Sequence, residues 1–159
     1  MDSVRLGTAA LEEDALLEAF ESCRLPAAQF HHADHIRLAW IYLGRMSEAE
    51  ATARIEGSIR QFAAHNGVSE KYHHTITLAW MRLVAAARRA APSAQGFEAF
   101  AEQHRELFDV KALSNYYSLE RLGSTQAKLE WAEPDLRPLP DAATAPSVGT
   151  PDADAATRA

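Results

Sequence analysis

Apolar residues recur along most of the chain at the three-to-four-residue spacing of an α-helix, and the strict alternation of a β-strand is nearly absent. The segment that follows Ser47 shows this most clearly. Ser47 and Glu50 form an S-x-x-E capping box, and Ile55, Ile59 and Phe62 then share one helical face. The pattern predicts an all-α fold.

The same spacing predicts a compact bundle of five to six helices. Prolines after Trp131 indicate that an aromatic, extended strap closes this bundle. The predicted helices are one that starts after Thr8, one over about 33–45, one opened by Ser47, one over about 70–90, one over 97–108, and shorter pieces over about 110–117 and from the N-caps Ser118 and Ser124 to Trp131.

The chain is expected to form one domain over residues 1–140, followed by a disordered tail over 141–159. The tail contains almost no large apolar residue, so it cannot bury enough surface to offset the entropy of ordering the chain.

The amino-acid composition argues against a membrane-spanning protein and against a nucleic-acid-binding one. A hydrophobic content of 47% is enough for a core, and no apolar run is long enough to span a membrane. The net charge of −6 argues against nucleic-acid binding, which needs a clustered basic surface. The lone Cys23 cannot form an internal disulfide, and the N-terminus does not resemble a signal peptide. We therefore expect a cytoplasmic protein.

Five of the seven histidines lie in two short segments, FHHADH and KYHHTIT. His32 and His35 fall on the apolar stripe of the second helix, and His73 falls on that of the fourth. An i, i+3 pair places two imidazoles on one face, and a third from a neighbouring helix completes a set that leaves positions open for water or substrate. His32, His35 and His73 are therefore predicted to bind a divalent metal ion. His31 and His74 point off the stripe.

A simpler interpretation stays open, because buried histidines are often hydrogen-bonded core or capping residues. His104 also lies on an apolar stripe, but it is alone in its helix and is better explained as core. Glu70 precedes His73 by almost one turn and is a further candidate for the site.

Three other side chains are candidates for catalysis. Tyr72 and Tyr117 could donate protons beside a metal, and the planar guanidinium of Arg121 could hold a carboxylate or phosphate. The alternative is structural: the tyrosines pack with their hydroxyls exposed, and Arg121 pairs with Glu120 or Glu130.

These motifs, F-x-H-x-x-H before an Ala-Trp helix, Y-H-x-T-I-T, Y-Y-S and E-P-D-L-R-P-L-P, resemble those of a family of small bacterial proteins of unknown function. The similarity covers most of residues 25–140. It implies that His32, His35 and His73 are the defining polar positions, and it implies no activity. The bundle is also similar in architecture alone to DinB-like proteins, which carry a three-histidine metal site.

Two functions of different classes follow. The first is a small metal-dependent hydrolase, lyase or oxygenase, in which zinc, iron, nickel or manganese polarises a small-molecule substrate or activates water. The second is a non-catalytic helical module that binds a small ligand or a protein partner and whose histidines are buried polar links. Either is compatible with a homodimer.

Overall fold

The computed structural model describes residues 2–90 and 96–140, with side chains from residue 12 onward. Within these ranges the chain is helical and contains no β-strand, as predicted. The α-helices are α1 (Asp2–Glu21), α2 (His32–Arg45), α3 (Glu48–His65), α4 (His74–Ala90), α5 (Phe97–Gln103), α6 (Leu119–Leu122) and α7 (Thr125–Leu129), and 3₁₀ turns occupy Ala27–Gln29, Ser69–Lys71, Arg105–Phe108 and Val110–Asn115.

Three predicted boundaries are wrong. The first helix begins at Asp2 instead of after Thr8, because no proline interrupts this segment and a potential cap residue does not by itself end a helix. The fourth begins at His74 because residues 69–71 form a tight 3₁₀ turn and Tyr72 is extended. The fifth ends at Gln103, after which His104 leaves the helical conformation.

The predicted N-caps are confirmed. The Ser47 hydroxyl accepts the backbone N–H of Glu50 at 3.1 Å, and the Glu50 carboxylate accepts the N–H of Ser47 at 3.2 Å. The hydroxyls of Ser118 and Ser124 accept backbone N–H groups in the first turns of α6 and α7, each at 3.1 Å. Helix α3, which carries Ile55 and Phe62 in the core, therefore begins where the capping box indicates.

Helices α2 and α4 run side by side in the same direction at the centre of the fold. The rings of His32 and Trp80 are 4.4 Å apart, and the Arg88 guanidinium donates to the Trp40 carbonyl at 3.3 Å. Both contacts join residues 48 positions apart, so the two helices are parallel. The core on both sides of them is aliphatic and aromatic, with Phe20, Ile55 and Phe100 fully buried.

After α7 the chain crosses the start of α4 without regular structure. The buried Thr75 hydroxyl donates to the Glu130 carbonyl at 2.7 Å and accepts the Ala132 N–H at 3.0 Å. Arg82 stacks on the Trp131 ring at 4.4 Å. The segment 130–135 is therefore a strap held against α4.

No helix in the described part of the chain is both long enough and apolar enough to cross a membrane. The predicted disordered tail, 141–159, lies outside the described residues.

Candidate functional site

His32 and His35 lie in the first turn of α2, with their ring centroids 6.5 Å apart and nearly perpendicular. The His32 Nε2–H donates to the Leu107 carbonyl at 2.8 Å, and the ring packs on Trp80. The His35 Nε2 atom is buried and has no hydrogen-bond partner among the described residues. One imidazole of the pair is thus tied to the backbone, and the other is left with an unmet nitrogen.

Burial sets the protonation state of this pair. Burial, together with the neighbouring His32, lowers the pKa of His35 to about 4. Burial also lowers the pKa of His32, against the opposing effects of the Leu107 carbonyl and Asp109. Both rings are therefore neutral at pH 7, which is the form that hydrogen-bonds as a neutral donor and acceptor or binds a metal.

His73 lies just before α4 and uses both of its ring nitrogens. Its Nε2–H donates to the Leu122 carbonyl at 2.7 Å, and its Nδ1 accepts the Ile76 N–H at 3.1 Å. The Thr77 hydroxyl donates back to the His73 carbonyl at 2.8 Å. His73 thus caps the first turn of α4, as a serine or aspartate would, and also joins that turn to the end of α6.

The parallel register of α2 and α4 separates His73 from the pair on α2. His32 is level with Trp80, and His73 precedes Trp80 by seven residues. At the helical rise per residue this is about 10 Å along the axis. His73 therefore lies beyond the start of α2, whereas His32 and His35 lie within its first turn.

Among the described residues, no three His, Cys, Asp or Glu side chains are grouped so that they could hold a metal ion. The structure brings together His32 and His35 but places His73 elsewhere. His104 stacks on Phe100, with ring centroids 5.0 Å apart, and Glu70 lies near Tyr72. A site for zinc, iron, nickel or manganese stays a prediction.

Tyr117 and Arg121, two of the candidate catalytic residues, both bind the strap. The fully buried Tyr117 hydroxyl donates to the Ala132 carbonyl at 2.8 Å, and burial raises the pKa of Tyr117 to about 12. The Arg121 Nε–H donates to the Glu133 carbonyl at 2.9 Å. The tyrosine hydroxyl is therefore buried and not exposed, and arginine pairs with a backbone carbonyl rather than with Glu120 or Glu130.

Tyr72, the third candidate, belongs to a polar cluster. Its hydroxyl lies 3.1 Å from Nδ1 of His74, and the Arg60 guanidinium stacks over its ring at 4.2 Å. Glu56 completes the cluster, with its carboxylate 3.4 Å from Arg60 and 3.8 Å from His74. Burial and the nearby Glu56 raise the pKa of Tyr72, so its hydroxyl stays protonated at neutral pH.

Beside this cluster is a cleft of about 270 Å³, which we call the Tyr72 pocket. Two cations border it, Arg60 and Lys128, and the Lys128 ammonium donates to the backbone carbonyl of Glu70. Its lining consists of Arg60, Ser69, Glu70, Tyr72, Lys128 and Leu129. The pocket thus offers two positive groups, two hydroxyls and one carboxylate to a small polar molecule.

The sequence interpretation missed the pairing of Tyr72 with His74. In a helix that begins at Glu70, residues two apart do not face each other. The backbone is instead extended at Tyr72, and in an extended segment alternate side chains share a side. Arg60 comes from α3 and Lys128 from α7, and no local pattern links these helices.

Comparison with protein families, with curated proteins and with solved structures finds no match to this chain. The resemblance to a small bacterial family and the architectural similarity to DinB-like bundles stay predictions.

Proposed function

We propose that this chain is a non-catalytic helical module that binds a small anionic molecule in the Tyr72 pocket, and that its clustered histidines are internal polar links. Two cations at the Tyr72 pocket support anion binding. The role of the histidines rests on His73, whose ring nitrogens are both hydrogen-bonded to the backbone. A ligand histidine must offer a free nitrogen lone pair to the metal. His73 would have to give up its helix cap or turn its ring away from Leu122 to do so.

The other polar links support the same view. His32 joins α2 to the Leu107 carbonyl, and Tyr117 and Arg121 hold the strap through carbonyl groups. Each of these side chains donates to a backbone carbonyl outside the α-helices, in a 3₁₀ turn or in the strap. Buried carbonyl groups there lack the partners that an α-helix supplies, and these side chains satisfy them.

The Tyr72 pocket has the chemistry of an anion site. Stacking on Tyr72 and the contact with Glu56 orient the Arg60 guanidinium, and a planar guanidinium suits a carboxylate or phosphate. Lys128 adds a second cation. The carboxylate of Glu70 at the same cleft disfavours a highly charged anion, so the expected ligand is a monoanion or a small molecule that also carries a positive group.

Titration of the ¹⁵N-labelled full chain with acetate and with inorganic phosphate tests the proposal. We expect saturable shifts of the backbone amides of Ser69, Glu70 and Lys128. Arg60→Gln should weaken binding by about tenfold or more, since it removes a charged partner worth about 1.5 kcal/mol or more. Arg24→Gln is the matched control, because Arg24 is also exposed and paired with a glutamate. Shifts that are equal in both variants, or none up to high millimolar ligand, would overturn the assignment.

The unmet Nε2 of His35 favours a second candidate, the metal-dependent enzyme predicted above. A neutral, buried imidazole beside a second one is a suitable start for a metal site. His32 would bind through Nδ1 while its Nε2 stays on Leu107, an arrangement common among metal ligands. The third ligand, His73, would have to leave its backbone partners and close the axial gap.

Metal content separates the two candidates. Tag-free protein reconstituted with zinc, iron(II), nickel or manganese is dialysed and analysed for metal. The metalloenzyme predicts one ion per chain, lost in His32→Ala, His35→Ala and His73→Ala but kept in His31→Ala and His74→Ala. The binding module predicts substoichiometric metal that none of the five substitutions changes.

A further inference from the structure

The Tyr72 pocket is bordered by a cation and a carboxylate that do not pair with each other. The Lys128 ammonium donates to the backbone carbonyl of Glu70 and not to its carboxylate. Among the described residues, neither Lys128 nor Glu70 takes part in an ion pair. Both border the same cleft. Unpaired charges of opposite sign at one cleft complement a ligand that itself carries both charges.

The Arg60 guanidinium is held in place by its neighbours, yet part of it is left for a ligand. One flat face stacks over the Tyr72 ring at 4.2 Å. The contacts with Glu56 and His74, at 3.4 and 3.5 Å, use the Nε and Nη2 atoms. Nη1 is used by neither contact, and a guanidinium can bind a carboxylate through Nη1 and Nη2 together. Arg60 is therefore an oriented partner for the carboxylate of a ligand.

The pocket is small, and one of its borders is apolar. Its volume of about 270 Å³ lies just below the range typical of sites for drug-sized ligands, so it suits a smaller molecule. Leu129, which is 66% exposed, borders it. A hydrocarbon group packed on Leu129 removes apolar surface from water. A short aliphatic group on the ligand therefore complements the pocket.

We propose that the ligand of the Tyr72 pocket is an α-amino acid with an aliphatic side chain. Its carboxylate binds Arg60 and Lys128. Its ammonium group lies against the Glu70 carboxylate, and its side chain packs on Leu129. This assignment rests on the anion binding proposed above and narrows it. A simple monoanion leaves Glu70 unpaired, whereas a zwitterion gives a partner of opposite charge to Glu70 as well as to the two cations.

Free leucine and two of its fragments form a matched set of probes. The fragment 4-methylpentanoate lacks the ammonium group, and 3-methylbutylamine lacks the carboxylate. Each is titrated at pH 7 into the ¹⁵N-labelled full chain, and the amides of Ser69, Glu70 and Lys128 are followed. We expect saturable shifts with leucine. The carboxylate fragment should bind about fivefold more weakly, the upper range for loss of one exposed ion pair, and the amine should bind weakest because two cations repel it.

Two variants test the role of Glu70. Glu70→Gln removes the carboxylate and should bind leucine and 4-methylpentanoate alike, whereas Glu98→Gln, at an exposed glutamate of α5, should keep the preference for leucine. A preference that survives in Glu70→Gln would overturn the amino-acid assignment.

The failure of this assignment is distinguishable from failure of the anion site itself. If the unaltered chain binds 4-methylpentanoate as tightly as leucine, and Arg60→Gln weakens both, the amino-acid assignment is overturned and the anion site stands. If leucine, 4-methylpentanoate and acetate all fail to bind, both proposals are overturned.

Discussion

His73 and His35 illustrate two opposite states of an imidazole near an apolar interior. His73 donates through one nitrogen and accepts through the other. His35 packs among aromatic rings, with Phe30 at 6.4 Å, and leaves its Nε2 without a partner among the described residues. The first ring should stabilise the fold, and the second should make its stability depend on pH.

Replacement of His73 tests the first expectation. His73→Ala removes the cap of α4 and leaves the Leu122 carbonyl unmet, so the free energy of unfolding should fall by about 1–3 kcal/mol. His73→Asn should lose less, because asparagine can still cap the helix. Chemical denaturation gives these values, and His65→Ala at an exposed position should change stability by no more than about 0.5 kcal/mol. A His73→Ala protein as stable as this control would contradict the structural role.

The low pKa of His35 predicts a pH dependence of stability. The unfolded ring titrates near 6.5 and the folded ring near 4, so between these values the unfolded state binds more protons. The contribution of His35 to the free energy of unfolding should be fully present above pH 6.5. It should fall as the pH drops toward 4, with a total loss on the order of 3 kcal/mol.

His35→Leu isolates this contribution from that of the carboxylates. The apolar side chain removes the titrating group and the unmet nitrogen together, so the variant should be at least as stable as the parent at pH 7. Its stability should fall less between pH 6.5 and 4 than that of the parent. Parallel curves of unfolding free energy against pH would show that His35 is not desolvated.

The short C-terminal helices and the strap are attached to the rest of the fold mainly by contacts at helix ends. Helices α6 and α7 have only four and five residues, which is too short for independent stability. Serine caps begin them, the His73 ring holds the end of α6, and Thr75 binds the strap that follows α7. The start of α4 is therefore the point at which the C-terminal segment is attached.

Thr75→Val tests this attachment. Valine has the same shape but cannot bind the Glu130 carbonyl or the Ala132 N–H, so two backbone groups lose their partner and stability should fall by about 1–3 kcal/mol. Thr77→Val is the control, since the Thr77 hydroxyl donates to the carbonyl of His73, which also accepts the Thr77 N–H, and it should lose less than about 1 kcal/mol. Amide exchange at Ala132 should accelerate in the first variant alone.

Over the whole molecule, the spacing of apolar residues predicts the features that depend only on residues close together in the sequence. The helical class, the cap at Ser47 and the apolar stripe of α3 follow from spacing within one segment. The sequence predicts too early a start for α4, because the 3₁₀ turn at Ser69–Lys71 has no distinctive residue signal. The prolines predict the strap, but its attachment to Thr75 joins residues 55 or more positions apart and has no local signature.

The candidate site was harder to predict for a geometric reason. Helical spacing correctly placed His32 and His35 on one turn. It does not reveal how far one helix is shifted along another, and the register of α2 against α4 moves His73 away by about 10 Å. For the same reason, the sequence did not predict that Arg60, Tyr72 and Lys128 would meet around one pocket.

The ring ¹⁵N shifts of His32, His35 and His73 distinguish histidines that link segments of the backbone from histidines that bind a metal. Spectra of the full chain are recorded at pH 7 with chelator and then with one equivalent of zinc. We predict that His73 carries its proton on Nε2, with an accepting Nδ1, and that zinc leaves all three rings unchanged. Loss of that tautomer, with all three rings shifting together upon addition of zinc, would contradict a structural role for His73 and establish a metal site.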